Sequence, residues 1–305
     1  MIRPDGTVRR APPGAFGAIT NAHHMKMGGA WDSTFEPIFN QADGEMTDFV
    51  RWLSTLETPS CDERPMVERI AAQALPPDRQ QQIARVTASL LARTPRVRHV
   101  IRLTTESYRG QFGLTDPKAD KTLIALNQRG LYDAYRRYMA WGGRWAVLFS
   151  DEEEFVAGDG FFHNLPASQD GLNSGRKLVL PLLPTATIVF MRPMSHPAEP
   201  RLVTLRLSTD EVRLLNAIVQ VYASDFLFYR EQKPQLTEDF TSGVHREFEY
   251  HGHSWLDPLL DNLSQYCLWG EGGSAVIGSR QPFTESLQGN RWLRQFIDGG
   301  ADAAD

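Results

Sequence analysis

The chain has 305 residues, 41% hydrophobic and 23% charged, enough apolar material for a sizeable core and too much to be largely disordered. Its formal net charge of −5 gives no global attraction to nucleic acid or to an anionic membrane. No run approaches the roughly 18 apolar residues of a membrane span, and the basic N-terminus lacks an apolar stretch of signal-peptide length.

The chain-order reading begins with a Gly-, Pro- and Arg-rich segment over 1–20, expected as a loose lead-in. His23 and His24 follow, ahead of the Gly28-Gly29 pair. From about 45 to 142 the pattern is helical. Val67, Ile70, Ala71 and Ala74 recur at i, i+3, i+4 and i+7, which predicts a helix stopped by Pro76-Pro77. Asp78 can cap the next helix, with its stripe at Ile83, Val86, Leu90 and Leu91 and its end at Thr94-Pro95. A third helical stretch carries Val97, Val100, Ile101, Tyr108 and Phe112. Asp116-Pro117 opens a fourth, through Leu123, Leu126, Tyr135 and Tyr138, ending near Gly142-Gly143.

The texture changes at Arg144. RWAVLFS, EEFVAGD, KLVLPLL, ATIVFMR and RLVTLRL are short, β-rich and separated by turn residues, which predicts a largely antiparallel sheet without βαβ crossovers. Ser208-Thr209-Asp210-Glu211 is a capping box opening a helix with Val212, Leu215, Val219 and Tyr222 on one face. FLFY at 226–229 reads as a returning strand. Beyond 231 come a polar linker, the strand-like HREFEYHGH, a helix through Leu259, Leu260, Leu263 and Tyr266, and a Gly-rich turn. The fold class that follows is α+β, with a helical N-terminal half packed on a mainly antiparallel sheet. The expected units are the lead-in at 1–20, a main domain at 21–230, and an extension at 231–305 packed on that domain.

An ordered set of short motifs resembles a known family. His23-His24-Met25, Arg93-Thr94-Pro95, Gly158-Asp159-Gly160, Pro181-Leu182-Leu183-Pro184 and Leu215-Asn216 occur in the order and spacing of the bacterial family catalogued as domain of unknown function 4238, over about residues 21–229. Gly160-Phe161 stands where that family has Asn-Pro, and the Tyr-Val-Pro segment after the histidines is lacking. The resemblance implies candidate positions, and a toxin or phage-defence setting, rather than a defined chemistry.

His23 and His24 could supply acid–base catalysis or satisfy polar groups where the N-terminal segment docks. Asp159, at a strand end between glycines, could face substrate or metal, or accept the backbone hydrogen bonds of its own turn. His163 and Asn164 lie within reach of that turn as candidate substrate contacts. Arg93 could hold phosphate, pair with Asp159 or cap helix carbonyls. Asn216 is a candidate substrate contact or a loop tether. In HREFEYHGH, Glu249, His251 and His253 fall on one face if the segment is extended, a weak metal-ligand set whose plain alternative is a solvated edge strand. The run Asp151-Glu152-Glu153-Glu154 reads as a solvated hairpin turn.

No P-loop, dinucleotide fingerprint, nucleophile elbow or HExxH motif occurs. The two cysteines, Cys61 and Cys267, form no CxxC pair and are expected to be reduced and unpaired in the cytoplasm. Two functions stay open at this stage. One is a hydrolase of a phosphodiester or nucleotide substrate, with a divalent metal as an optional cofactor. The other is a non-catalytic binding or scaffold protein whose C-terminal extension meets a partner. A small-molecule or nucleic-acid substrate suits the first, and no membrane partner is expected in either.

Overall fold

The computed structural model describes residues 1–10, 24–27, 30–34, 36–94, 97–103, 105, 113, 117–165, 176–192, 199–244 and 255–266. The fold is α+β. At its centre lies a five-stranded sheet of β3 (Ala71–Gln73), β4 (Arg144–Phe149), β6 (Lys177–Leu183), β7 (Ala186–Met191) and β8 (Leu202–Arg206), in the order β3-β8-β4-β7-β6. Away from it, β1 (His24–Met27) and β2 (Ala30–Thr34) pair as a hairpin, and β5 (Ala157–Gly158) pairs with β9 (Leu227–Phe228).

The central strands read as near-continuous apolar runs because both faces of the sheet are covered. Alternation along β4 sends Trp145 and Val147 to one core and Ala146 and Leu148 to the other. The first core is closed by α1 (Asn40–Leu53), α2 (Pro77–Ala92) and α3 (Pro117–Trp141), through residues such as Phe49, Ile83, Leu91, Tyr135 and Met139. The second is closed by α4 (Thr209–Tyr222) and α6 (Leu256–Gln265); a one-turn helix, α5 (Glu238–Thr241), lies between them in sequence.

The Ser208 and Glu211 capping box forms as expected, and α3 ends where Gly143 adopts φ +109°, with the Phe190 ring 2.6 Å from where a Cβ would sit. Two local expectations need correction. Residues 66–74 are not a helix: Met66–Arg69 make one 3-10 turn and Ala71–Gln73 become β3, paired antiparallel to β8. Four apolar positions in eight residues cannot separate a helix from a half-covered strand, and the exposed edge of β8 decides the matter. Asp78 is not a cap; Pro76 occupies that position, and Pro77 starts α2. The sheet also contains one parallel pair, β4 with β8. After the β6–β7 hairpin, Met191 lies opposite Arg144, so the chain crosses beside the start of β4 and β8 runs alongside it.

Residues 1–10 are docked rather than loose. Ile2 exchanges both backbone hydrogen bonds with Leu227 and bridges Val8, so a small N-terminal hairpin extends the β5–β9 ribbon. Ile2, Val156, Ala223, Leu227 and Phe240 form the third apolar cluster. Residues 255–263 of the expected extension lie inside the second core: Trp255, Leu256, Leu259, Leu260 and Leu263 are all 0% exposed. Among the described residues no helix is long and apolar enough to cross a membrane.

Candidate functional site

Asp159 is buried, and its carboxylate closes the turn after α4. One oxygen accepts the Ser224 N–H at 2.7 Å and the other the Asp225 N–H at 2.9 Å, while its own N–H donates to the Phe226 carbonyl. Burial pushes its carboxyl above the usual range, and the backbone donors oppose that push without cancelling it. Gly158 beside it is required by space, since a Cβ would lie 2.6 Å from the Gly160 carbonyl and 2.9 Å from the Ala223 side chain.

Asn216, on α4, is a tether. Its Oδ1 accepts the Val156 N–H at 2.9 Å and its Nδ2 donates to the Glu154 carbonyl at 2.8 Å. Asn164 plays a similar part at the sheet edge, where its Oδ1 accepts the Lys177 N–H and its carbonyl accepts from the Arg176 guanidinium. His163 is buried, bridges Leu178 through its backbone and stands edge-on to Phe161 at 6.3 Å. Arg93 follows α2 directly. It donates to the Ser89 carbonyl, forms a two-point ion pair with Asp43 of α1, and lies 4.9 Å above the Phe39 ring.

The polar partners of Arg93 and Asp159 are therefore separate: Arg93 ties α2 to α1, and Asp159 ties the β5 turn to residues 224–226. His24 starts β1, opposite Thr34, on a hairpin that runs against α3. His23, Glu249, His251 and His253 lie outside the described residues, as does Cys267. Among the described residues no group of three or more His, Cys, Asp or Glu is gathered to hold a metal ion.

Two buried carboxylates have partners that the sequence reading did not anticipate. Glu154, taken as part of a solvated turn, is buried and accepts the successive backbone N–H groups of Arg230, Glu231 and Gln232, together with the Arg230 guanidinium at 3.1 Å. Burial raises its carboxyl, but these donors outweigh the rise and hold it below the ordinary glutamate value. The rest of the acidic run is paired too, Asp151 with Arg206, Glu152 with the Thr209 hydroxyl and Glu153 with Arg213. Glu211 serves the capping box and also meets the buried Arg69 guanidinium at 2.6 Å. The spacing Ser-x-x-Glu announced the cap; nothing local announced the arginine from 142 residues away.

Among the described residues, two clefts stand out. A polar one of about 830 Å³ lies at the start of α4, beside Cys61, Arg206 and Thr209. Its arginine is occupied by Asp151, Thr58 and the Pro59 carbonyl. Burial raises the Cys61 thiol against the opposing pull of Arg69, so the sulfur is not poised as a thiolate. The second cleft, about 920 Å³, lies between the N-terminal hairpin, the β5–β9 ribbon and the end of the β6–β7 hairpin. Its walls are chiefly apolar, with Val8, Phe155, Leu182, Leu183, Pro184 and Phe228, and Arg9, Arg10, Arg230 and Glu231 also line it. Its size and apolar lining with few charged groups match a small-molecule site.

No protein-family model matches the chain, and neither a curated protein nor a solved structure matches it at significant similarity.

Proposed function

We propose that this protein binds a ligand without transforming it, and that the ligand occupies the apolar cleft beside the N-terminal hairpin. One observation carries the reading: the side chains of Arg93, Asp159, Asn164 and Asn216, nominated for chemistry, each hold backbone groups or an ion pair of the fold. A catalytic group needs reach toward a reacting atom. The cleft supplies what binding requires, an apolar concavity of ligand size with a few charged groups. Membership of the domain of unknown function 4238 family belongs to the same proposal and rests on the ordered motifs.

The competing reading is a phosphodiester or nucleotide hydrolase working through His24, in the toxin or phage-defence setting that the resemblance implies. The test measures both activities on the full chain. Titration with anilinonaphthalene sulfonate should saturate at one site and weaken in Val8→Asp, which places a carboxylate on the cleft wall. Bis(p-nitrophenyl) phosphate and nucleoside triphosphates, with and without magnesium or manganese, should give no turnover that His24→Ala removes. Turnover lost in His24→Ala would overturn the proposal in favour of the hydrolase.

A further inference from the structure

We infer that the exposed end of α3 binds single-stranded nucleic acid, an unpaired base stacking on Trp141 and the neighbouring phosphates meeting Arg137, Arg176 and Arg192. None of these residues lines the apolar cleft, and the site is independent of the ligand proposed there.

Trp141 is the last residue of α3 and is 75% exposed. The Arg192 guanidinium lies over one face of its ring at 4.8 Å and over the Tyr138 ring at 5.0 Å. Tyr138 in turn meets Phe190 of the first core edge-on, with ring centroids 5.8 Å apart. The indole is therefore backed by a stack rooted in the core, and its outer face is left to solvent. Gly142 beside it stands in open space, since a Cβ there would meet nothing within 4 Å. An outward aromatic plane contributes no burial to the fold. It is a platform on which any unpaired base can stack.

The charges around the platform suit phosphate. Arg137 is exposed one helical turn before Trp141, on the same face, and its Nε donates to the Asp133 carbonyl. The Asp133 carboxylate itself pairs with Arg136. Arg176 directly precedes β6 and Arg192 directly follows β7; the Arg192 N–H donates to the Arg176 carbonyl at 2.8 Å, which sets the two opposite each other. Like charges so placed oppose strand pairing unless an anion lies between them. Arg176 gives one nitrogen to the Asn164 carbonyl, and none of the three guanidiniums pairs with a carboxylate among the described residues. The end of α3 is the negative end of its helix dipole, roughly half a charge against three full positive ones. The formal net charge of −5 adds no general attraction, so the patch acts at short range. A duplex offers phosphates but no free base face, and an acidic peptide offers charge without a repeating planar group. A single strand offers both.

The experiment is fluorescence anisotropy of a short labelled oligothymidylate, the matching oligouridylate and a duplex of equal length, each titrated with the full chain at several salt concentrations. Wild type should bind at least one single strand saturably, and roughly tenfold more tightly than the duplex. Its affinity should fall with a log–log salt slope of about −2, from about 0.7 for each of three phosphates. Whichever single strand binds better identifies DNA or RNA as the ligand. Trp141→Ala should weaken binding about tenfold and Trp141→Phe less, and Arg137→Gln should flatten the slope by about 0.7. Both positions are exposed, so thermal midpoints should stay at the wild-type value. Lys233→Gln removes an exposed cation next to Gln232, which holds Glu154 beyond the far end of β4, and should leave binding unchanged. Equal affinity for the duplex, or wild-type affinity in Trp141→Ala, would overturn the inference. Displacement of the strand by polyglutamate as readily as by unlabelled oligothymidylate would overturn it in favour of an acidic protein. Failure of every oligonucleotide to bind would overturn it outright, and self-association lost in Trp141→Ala would then assign the indole to a second copy of the chain.

Discussion

Asp159 has each carboxylate oxygen on a different backbone donor, Ser224 for one and Asp225 for the other. An alanine there leaves the Ser224 and Asp225 N–H groups, both in part-buried bonds, without their acceptor, at a cost of about 2 kcal/mol; an asparagine keeps one acceptor and should cost about 1 kcal/mol. Urea unfolding of Asp159→Ala and Asp159→Asn measures the difference, and equal losses would contradict the turn-anchor role. Glu154 adds a pH dependence of opposite sign. Its folded-state carboxyl titrates below its ordinary value of 4.5, so its contribution is present above that pH and is lost as pH falls through the folded value. Asp159 is shifted upward, so its charge weighs against folding at neutral pH, and that burden lifts as acid protonates it. Glu154→Gln should therefore lose about 2 kcal/mol at pH 7 and show a shallower fall in stability below pH 4.5 than wild type. Unfolding series at pH 7 and at lower pH test this, and parallel curves for the two proteins would refute it.

At the scale of elements, the buried Arg69–Glu211 pair fastens the 3-10 turn before β3 to the first turn of α4. Arg69 also donates to the Arg206 carbonyl, so the same guanidinium touches the end of β8. Arg69→Met should cost about 3–5 kcal/mol, because it leaves a buried carboxylate without its partner. On that background Glu211→Gln should cost less than it does alone, since the glutamine keeps a capping-box acceptor while the unpaired charge disappears. A double-mutant cycle by chemical denaturation reads the coupling; additive losses would show that the pair does not join these elements. This contact also bears on the missed strand. The sequence of 67–74 has helical spacing, but Arg69 is held at the end of β8, and Gln73 reaches the Thr204 hydroxyl of that strand at 3.0 Å.

For the molecule as a whole, α6 decides whether residues up to 230 can stand alone. Its apolar face fills the second core against Val203, Leu205, Leu215 and Ile218. Arg144, fully buried at the start of β4, donates to the Leu263 and Ser264 carbonyls at the end of α6 and to the carbonyls of Glu199 and Pro200. A chain ending at residue 230 would expose that core and strip Arg144 of two acceptors. It should lose the cooperative thermal transition of the full chain, whereas a chain ending at 266 should keep it. Circular dichroism melts of the two truncations check this, and a cooperative melt of the shorter one would show that α6 is an accessory.

The sequence by itself determined what rests on neighbours within a few residues. The capping box at Ser208 and Glu211, the end of α3 at Gly142-Gly143, the apolar runs of β4, β6, β7 and β8, and the α+β class all have local causes. Tertiary structure alone decided the placement of the polar side chains. Asp159, Asn216 and Glu154 take partners about 60 to 80 positions away, and Arg69 reaches across 142. A buried carboxylate and a solvated one have the same spelling; only the backbone N–H groups that the fold brings to it tell them apart. The cleft was equally illegible, because its walls come from the N-terminal hairpin, the β5–β9 ribbon and the β6–β7 turn. Concavity is a property of surfaces that meet in space, and no periodicity along the chain encodes it.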